Sequence, residues 1–209
     1  MGTETDVELL RAWRGGDPQA GNILLRRYFD SLYRFFANKV EDEVEDLIQR
    51  TFLALVRHKE AIREGSSFRA YMYTVARNEY YHYLRSRRRR RDPLDFGTVS
   101  LADLGTSPSG LVARRKDQEL LLFALRQIPI DLQIALELYY WGGLTTAELG
   151  AALEIPHGTA KSTLRRAREQ LRKRLESAAR QPSDLASSIE DLDAWARSIR
   201  NTNDQRRRS

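Results

Sequence analysis

A single proline constrains the second half of this chain more than any other residue. The stretch from Leu144 to Leu175 reads LTTAELGAALEIPHGTAKSTLRRAREQLRKRL. Leu149, Ala152 and Leu153 stand at i, i+3 and i+4, the spacing of one buried helical face, and Thr145 or Thr146 is placed to cap that helix. Pro156 then ends it, because proline lacks the N–H and clashes with the preceding turn, so Glu154, Ile155 and Pro156 make a tight corner. Helical spacing resumes at Ala160, Leu164, Ala167 and Leu171. Gly150, Ala151 and Ala160 are small enough for two helices to cross closely, so the stretch reads as a helix-turn-helix.

The outward side of its second helix carries Lys161, Ser162, Arg165, Arg166 and Glu169. Between His157 and Glu176 seven Lys or Arg stand against two Glu. A basic run is most often only the solvated face of a helical bundle. Here the order of short helix, turn and long basic helix favours a helix that lies in a DNA major groove, where arginine binds phosphate or reads guanine.

The first half is also helical by period. Leu25, Tyr28, Phe29, Leu32 and Phe36 make one stripe. Val44, Leu47, Ile48, Thr51 and Leu55 make another, with Glu43, Asp46 and Arg50 opposite. A third helix starts near Ser67, with Phe68, Tyr71, Met72 and Val75 inward, and runs to an arginine block. No segment alternates with period two, so no strands are expected. The fold class is therefore all-α, in two small helical domains with a short C-terminal amphipathic helix.

Four segments follow: a domain over 1–91, a linker over 92–114, a domain over 115–177 and an extension over 178–209. The linker assignment rests on Pro93, Gly97, Gly105, Thr106, Ser107, Pro108, Ser109 and Gly110, a turn-forming composition with room for one helical turn at most. In the extension Leu185, Ile189, Leu192, Ala196 and Ile199 give a short apolar stripe, and Asn201 to Ser209 read as disordered. Such a short helix is marginal alone and needs something to pack on.

The net charge of +6 favours a polyanionic partner, but the charge is segregated. Five of the six residues from Glu41 to Asp46 are acidic, and six of the seven from Arg85 to Arg91 are arginine. Two surfaces of opposite sign suit two kinds of partner. The chain has no cysteine, which excludes disulfides and thiol chemistry. No metal site is expected either: no carbonyl-rich loop interleaves the carboxylates, and His58, His82 and His157 stand singly. The acidic start, Met1 to Leu10, lacks the order of a signal peptide, and Asp6 spoils a myristoylation pattern. Leu132 to Leu144 is too short to span a bilayer and is broken by Gln133 and Glu137. A cytoplasmic protein without membrane insertion is the expectation.

Three blocks of the first half, GDPQAGNILLRRYFDSLYRF, EDEVEDLIQRTFLALVRH and SSFRAYMYTVARNEYYHYLRSRRRRR, resemble region 2 of the extracytoplasmic-function sigma factors, and Leu144 to Leu175 resembles their region 4. The resemblance covers roughly residues 7–91 and 115–176. It implies an alternative sigma factor that binds RNA polymerase core and directs promoter recognition and transcription initiation, with no enzymatic activity and no cofactor.

By position, the resemblance implies that Glu43, Glu45, Asp46, Leu47, Gln49 and Arg50 form the segment that docks on polymerase core. An acidic helical face suits a basic protein surface and fixes orientation. Arg50 departs from the family, which usually has an acidic residue there, and it stands four residues after Asp46, within ion-pair reach. Thr51 invites a phosphorylation reading, but its period puts it on the buried stripe. For single-stranded −10 DNA the resemblance implies Ser66, Ser67, Arg69, Tyr73, Arg77, Asn78, Tyr81, Arg85, Arg87 and Arg88, a set that mixes aromatic platforms with cations as single-strand binding requires. The Glu64 to Ser67 loop lies where the family captures a flipped-out base. For duplex −35 DNA it implies His157, Thr159, Lys161, Ser162, Arg165, Arg166 and Arg168. An anti-sigma factor or another regulator stands as a further candidate partner. Trp13, Trp141 and the Trp141-Gly142-Gly143 corner read as packing and turn.

Two other readings compete. A helix-turn-helix regulator would bind duplex DNA without polymerase core, usually as a dimer, but no dimer seam is evident. A nuclease built on the acidic cluster would need a metal constellation, a nucleophile or a phosphate loop, and none is evident.

Overall fold

The computed structural model describes residues 4–62, 67–87, 95–104 and 116–178. Among them the chain is helical: α1 (Asp6–Arg14), α2 (Pro18–Ala37), α3 (Val44–Arg57), α4 (Phe68–Arg87), α5 (Lys116–Leu125), α6 (Ile130–Tyr140), α7 (Thr146–Leu153) and α8 (His157–Ala178), plus a single 3-10 turn at Lys59–Ala61. The only extended pairing among the described residues is one isolated bridge, Ser100 with Pro129. The stripe at 185–199 and the residues beyond it lie outside the described part.

Helix α1 was not anticipated, although its start is written in the sequence. Thr5 caps it and Glu8 reaches back to the Thr5 N–H, a reciprocal capping box. Leu9, Leu10 and Trp13 then bury against α2, where Gly21 makes room: a Cβ there would lie 2.4 Å from the Trp13 indole nitrogen. Asp17 caps α2 with Pro18 in its first turn, and Leu24, Leu32, Phe35 and Phe36 are buried on it. Phe29 departs from its expected place. It is 42% exposed because the buried face follows Leu24, Leu32 and Phe36, and Phe29 falls outside that arc. All five residues of the α3 stripe are buried. Thr51 is among them, and its hydroxyl donates 2.7 Å to the Leu47 carbonyl, which leaves it no access to a modifying enzyme.

Helix α4 is buried around most of its girth: Phe68, Ala70, Met72, Tyr73, Ala76, Arg77, Tyr80, Tyr83 and Leu84 all lie inside. It packs on α3 on one side and on α7 on the other. The two helical units therefore share one continuous core. Between them, residues 95–104 of the segment read as a linker are packed down. Phe96 and Leu101 are buried, and the backbone joins α5 and α6 through Ala102 N–H to Arg126 O and Ile130 N–H to Val99 O, both 3.0 Å.

The second unit follows the sequence reading closely. Thr145 caps α7 with Glu148 completing the box, so of the two candidate threonines it is the first that caps. Glu154 ends the helix in the left-handed region at φ 58°, and the chain doubles back so tightly that a Cβ on Gly150 would meet the Ile155 carbonyl at 3.0 Å. Ala160, Leu164, Ala167, Leu171 and Leu175 fill the inner face of α8. Each large one buries roughly 1.5–3 kcal/mol of transfer free energy. Beneath them lies α6, buried on every side, with Gln133 and Glu137 inside it.

Candidate polymerase and nucleic-acid interfaces

Three surfaces carry the expected site residues. The first is the outer side of α3. Glu45, Asp46, Gln49 and Arg50 are exposed there, whereas Leu47 is fully buried and holds the helix in place. Glu43 is tied inward, since it accepts from the Tyr83 hydroxyl at 2.9 Å and pairs with Arg87 at 3.1 Å. Arg50 and Asp46 form the expected ion pair at 2.8 Å, with both side chains about half exposed. Beside this polar row lie Leu53, Val56 and Phe29, each more than two-fifths exposed, and Phe29 leans on Phe52. The surface is thus a carboxylate edge next to an uncovered apolar patch, a combination that fits a protein partner. Sequence periodicity missed that patch because it counted Phe29 as core.

The second surface is α4. Ser66 and Arg88 lie outside the described residues. Ser67 caps the helix start, where its hydroxyl accepts from the Ala70 N–H at 3.3 Å. Arg69 donates one Nη to both carboxylate oxygens of Glu148 at 3.2 Å. Arg77 is 6% exposed; it donates to the Ala152 carbonyl at 2.9 Å, to Asn78 at 3.2 Å and to the Glu154 carboxylate. Tyr73 is core rather than a base platform. It packs 5.8 Å from Phe35, and burial pushes its hydroxyl up to about 12. Tyr81 stacks on Phe96 with centroids 4.1 Å apart and donates to Asp131, and burial followed by that carboxylate raises its pKa strongly. Arg85 and Arg87 are exposed; Arg85 lies over Phe96, and Arg87 donates to the Tyr83 hydroxyl at 2.7 Å.

The third surface is the outer side of α8. His157, Thr159, Lys161, Ser162, Arg165 and Arg166 are all exposed. The His157 Nε2 sits 2.9 Å from the Thr146 hydroxyl, joining the two helices across the turn. Lys161, Arg165 and Arg166 form no ion pair among the described residues, so three cations face outward together. Arg168 differs. Its guanidinium lies 5.4 Å from the rings of both Tyr139 and Tyr140 and donates to the Tyr140 hydroxyl at 2.8 Å, which braces α8 on α6. No cluster of three or more metal-ligating side chains exists among the described residues, and none of their helices is long and apolar enough to cross a membrane.

This layout is matched by known proteins. The profile of Sigma-70 region 2 matches residues 24–90 and that of Sigma-70, region 4 matches residues 118–171, together more than half of the chain. The ECF RNA polymerase sigma-E factor of Escherichia coli (strain K12) is 26% identical over 176 residues, covering 80% of this chain and 92% of that protein. That of Haemophilus influenzae is 26% identical over 183 residues, covering 82% and 96%. Among solved structures, CnrH in complex with the cytosolic domain of CnrY superposes with a TM-score of 0.63 at 18% identity, over 84% of this chain and all of that one. The sigma factor RpoE in complex with the anti-sigma factor NepR from Bartonella quintana gives 0.55 at 23%, over 74% and 96%. The chain belongs to the sigma-70 family of transcription initiation factors, in its extracytoplasmic-function branch. It is an alternative sigma factor, with RNA polymerase core and promoter DNA as its partners.

Proposed function

We propose that the three surfaces divide the work of initiation. The row Glu45, Asp46, Gln49 and Arg50 on α3, with Glu43 at its head and Leu47 beneath it, docks on polymerase core, and the adjoining Phe29, Leu53 and Val56 are covered in the complex. Ser66, Ser67, Arg69, Arg77, Asn78, Arg85, Arg87 and Arg88 hold the single-stranded −10 element, with Tyr81 as the aromatic nearest to hand. His157, Thr159, Lys161, Ser162, Arg165 and Arg166 contact the −35 duplex, with Arg168 as the brace that sets the angle of α8. On this reading residues 1–91 and 115–177 are the two working domains. The protein acts in the cytoplasm, needs no cofactor and lends promoter choice to the polymerase's own chemistry. A regulator of the anti-sigma kind is a further partner, as for the Bartonella factor solved with NepR.

The observation that carries most weight is the outward face of α8: three cations that form no ion pair among the described residues, with Ser162 and Thr159, on a helix braced from behind and preceded by a capped helix and a tight turn. Those are the parts a recognition helix needs to reach base edges and phosphates at once. Run-off transcription with purified bacterial core polymerase tests the reading, on the DNA upstream of the protein's own gene. A discrete start that requires both core and this chain, and is lost with Arg165→Ala and Arg166→Ala together, is the expected result. Specific duplex binding by the chain alone, with no core-dependent transcript, sinks it.

A further inference from the structure

Helix α5 is apolar on every side, yet one side of it is bare. From Leu120 to Leu125 every residue is apolar, enough to run round the whole girth of the helix. A helix of that pattern is normally covered all round, as α6 is beneath α8. On α5, Leu121, Ala124 and Leu125 are buried, whereas Phe123 is 57% exposed and the flanking Leu120 and Leu122 are half-buried. A lone exposed phenylalanine is ordinary on a protein surface. This one belongs to a helix whose whole composition calls for cover. The same chain carries an apolar stripe that needs a surface: Leu185, Ile189, Leu192, Ala196 and Ile199, spaced i, i+4, i+7, i+11 and i+14.

We propose that residues 182–200 of this chain dock on α5 over Phe123, laying their stripe against Leu120, Leu122 and Phe123. Reach favours this place. Helix α5 packs against α8, and its end lies by the last turns of α8. There the Arg126 carbonyl accepts from the Ala102 N–H at 3.0 Å. The neighbouring Asp103 carboxyl, held below its usual range by the Ser100 hydroxyl and N–H, also feels the charge of Arg174. Phe123 stands one helical turn before Arg126. Leu185 follows Ala178, the end of α8, by seven residues, which span about 23 Å when extended. Charge decides between this patch and the apolar patch on α3. Residues 181–196 carry Asp184, Glu190, Asp191 and Asp193 and no lysine or arginine. The end of α8 exposes Arg172, Lys173 and Arg174, so the acidic flanks of the stripe meet cations there. The patch of Phe29, Leu53 and Val56 adjoins Glu45 and Asp46, which repel the same segment. Docked on α5, the segment stays away from His157, Thr159, Lys161 and Ser162 at the start of α8 and leaves those residues open.

Amide hydrogen exchange read by mass spectrometry tests the docking on the full chain, at a concentration where light scattering gives the monomer mass. The amides of residues 185–199 are expected to exchange about tenfold or more slower than those of a free peptide of residues 182–200. Phe123→Gln, a change at an exposed position, is expected to remove that protection. Ile189→Asp with Leu192→Asp reads the contact from the other side: exchange in α5 should quicken while α1, α2 and α3 stay as they were. Should Phe123→Gln also loosen α6 to α8, the tail pair decides alone. Exchange of residues 185–199 as fast as in the free peptide refutes the docking, and so does protection that survives Phe123→Gln. Protection that appears only with added bacterial core polymerase makes the polymerase the occupant and overturns the proposal. Protection that appears only as a dimer forms at higher concentration assigns the contact to a second copy and overturns it equally.

Discussion

Helices α4 and α8 both carry the basic residues expected of a DNA-binding surface, yet the fold treats them oppositely. On α8 the apolar residues occupy one side only, and Lys161, Arg165 and Arg166 are left facing outward without ion pairs among the described residues. On α4 nearly every side is covered, and Arg69 and Arg77 are engaged by carboxylates and a carbonyl of the second unit. An arginine in the first setting is free to bind and contributes little to stability. In the second it is a structural member held by partners within the protein. The same residue type therefore answers mutation in two ways, which can be tested.

The largest effect is expected where the units meet most deeply. Lys39 donates to Glu137 and to the Phe35 carbonyl and lies 3.8 Å from the Phe35 ring; burial pulls its pKa down even though Glu137 opposes that shift. Glu137→Leu alone leaves a buried cation uncompensated and is expected to cost about 3–5 kcal/mol in urea unfolding. Lys39→Met with Glu137→Leu should recover that loss or exceed it. A double variant as unstable as the single one would show that the pair does more than neutralise itself.

Next come the arginines. Arg77→Ala leaves the Ala152 carbonyl without its buried donor and is expected to lower stability by about 1–3 kcal/mol. Arg165→Ala should leave stability within about 0.5 kcal/mol but cost about 1–3 kcal/mol of promoter affinity at constant salt. Equal stability losses in the two would erase the contrast between the helices. Arg168→Ala sits between them: loss of its stacking on Tyr139 and Tyr140 is expected to cost about 1 kcal/mol of stability, with a smaller effect on promoter binding than Arg165→Ala.

Acid probes the joint without mutation. Burial works against the Glu148 carboxylate, but the Ser67 hydroxyl, the Thr145 N–H and hydroxyl, and Arg69 outweigh it and hold the group at about 2 instead of 4.5. Its contribution is complete above 4.5 and is lost as the pH falls from there to about 2. Stability measured across that interval should fall more gently in Glu148→Gln than in the parent; parallel curves would remove Glu148 from the joint. The smallest effect is expected at Arg50. Arg50→Glu breaks an exposed pair worth about 0.2–0.5 kcal/mol, so folding is nearly unchanged while core affinity rises. Unchanged core affinity would dismiss Arg50 as a brake on docking.

The outer face of α8 was legible because a helix buried on one side prints its period in the sequence, and Pro156 and the Thr145–Glu148 box fix where it starts. The stripe on α3 was legible for the same reason, and the start of α1 is marked by the Thr5–Glu8 capping box. Helix α4 was legible as a helix from near Ser67 to the arginine block, but its exposed side was not, because burial on two sides leaves no single stripe: Tyr73 and Tyr81 resemble exposed base platforms in a one-dimensional reading and turn out to be packed. Phe96 and Leu101 were hidden among turn formers, and only the packed structure shows residues 95–104 fastened to α5 and α6.

Taken alone, the sequence determined what local rules can encode: the helices, their caps, the turn at Pro156, the separation of acidic and basic blocks, and the family. The tertiary structure decided which charges are spent. No local rule assigns partners to Glu137, Glu148 or Glu154, since nothing local says whether a carboxylate faces water or a cation far away along the chain. That choice depends on how two helical units pack, and packing is a property of surfaces brought together, which no short window of sequence contains.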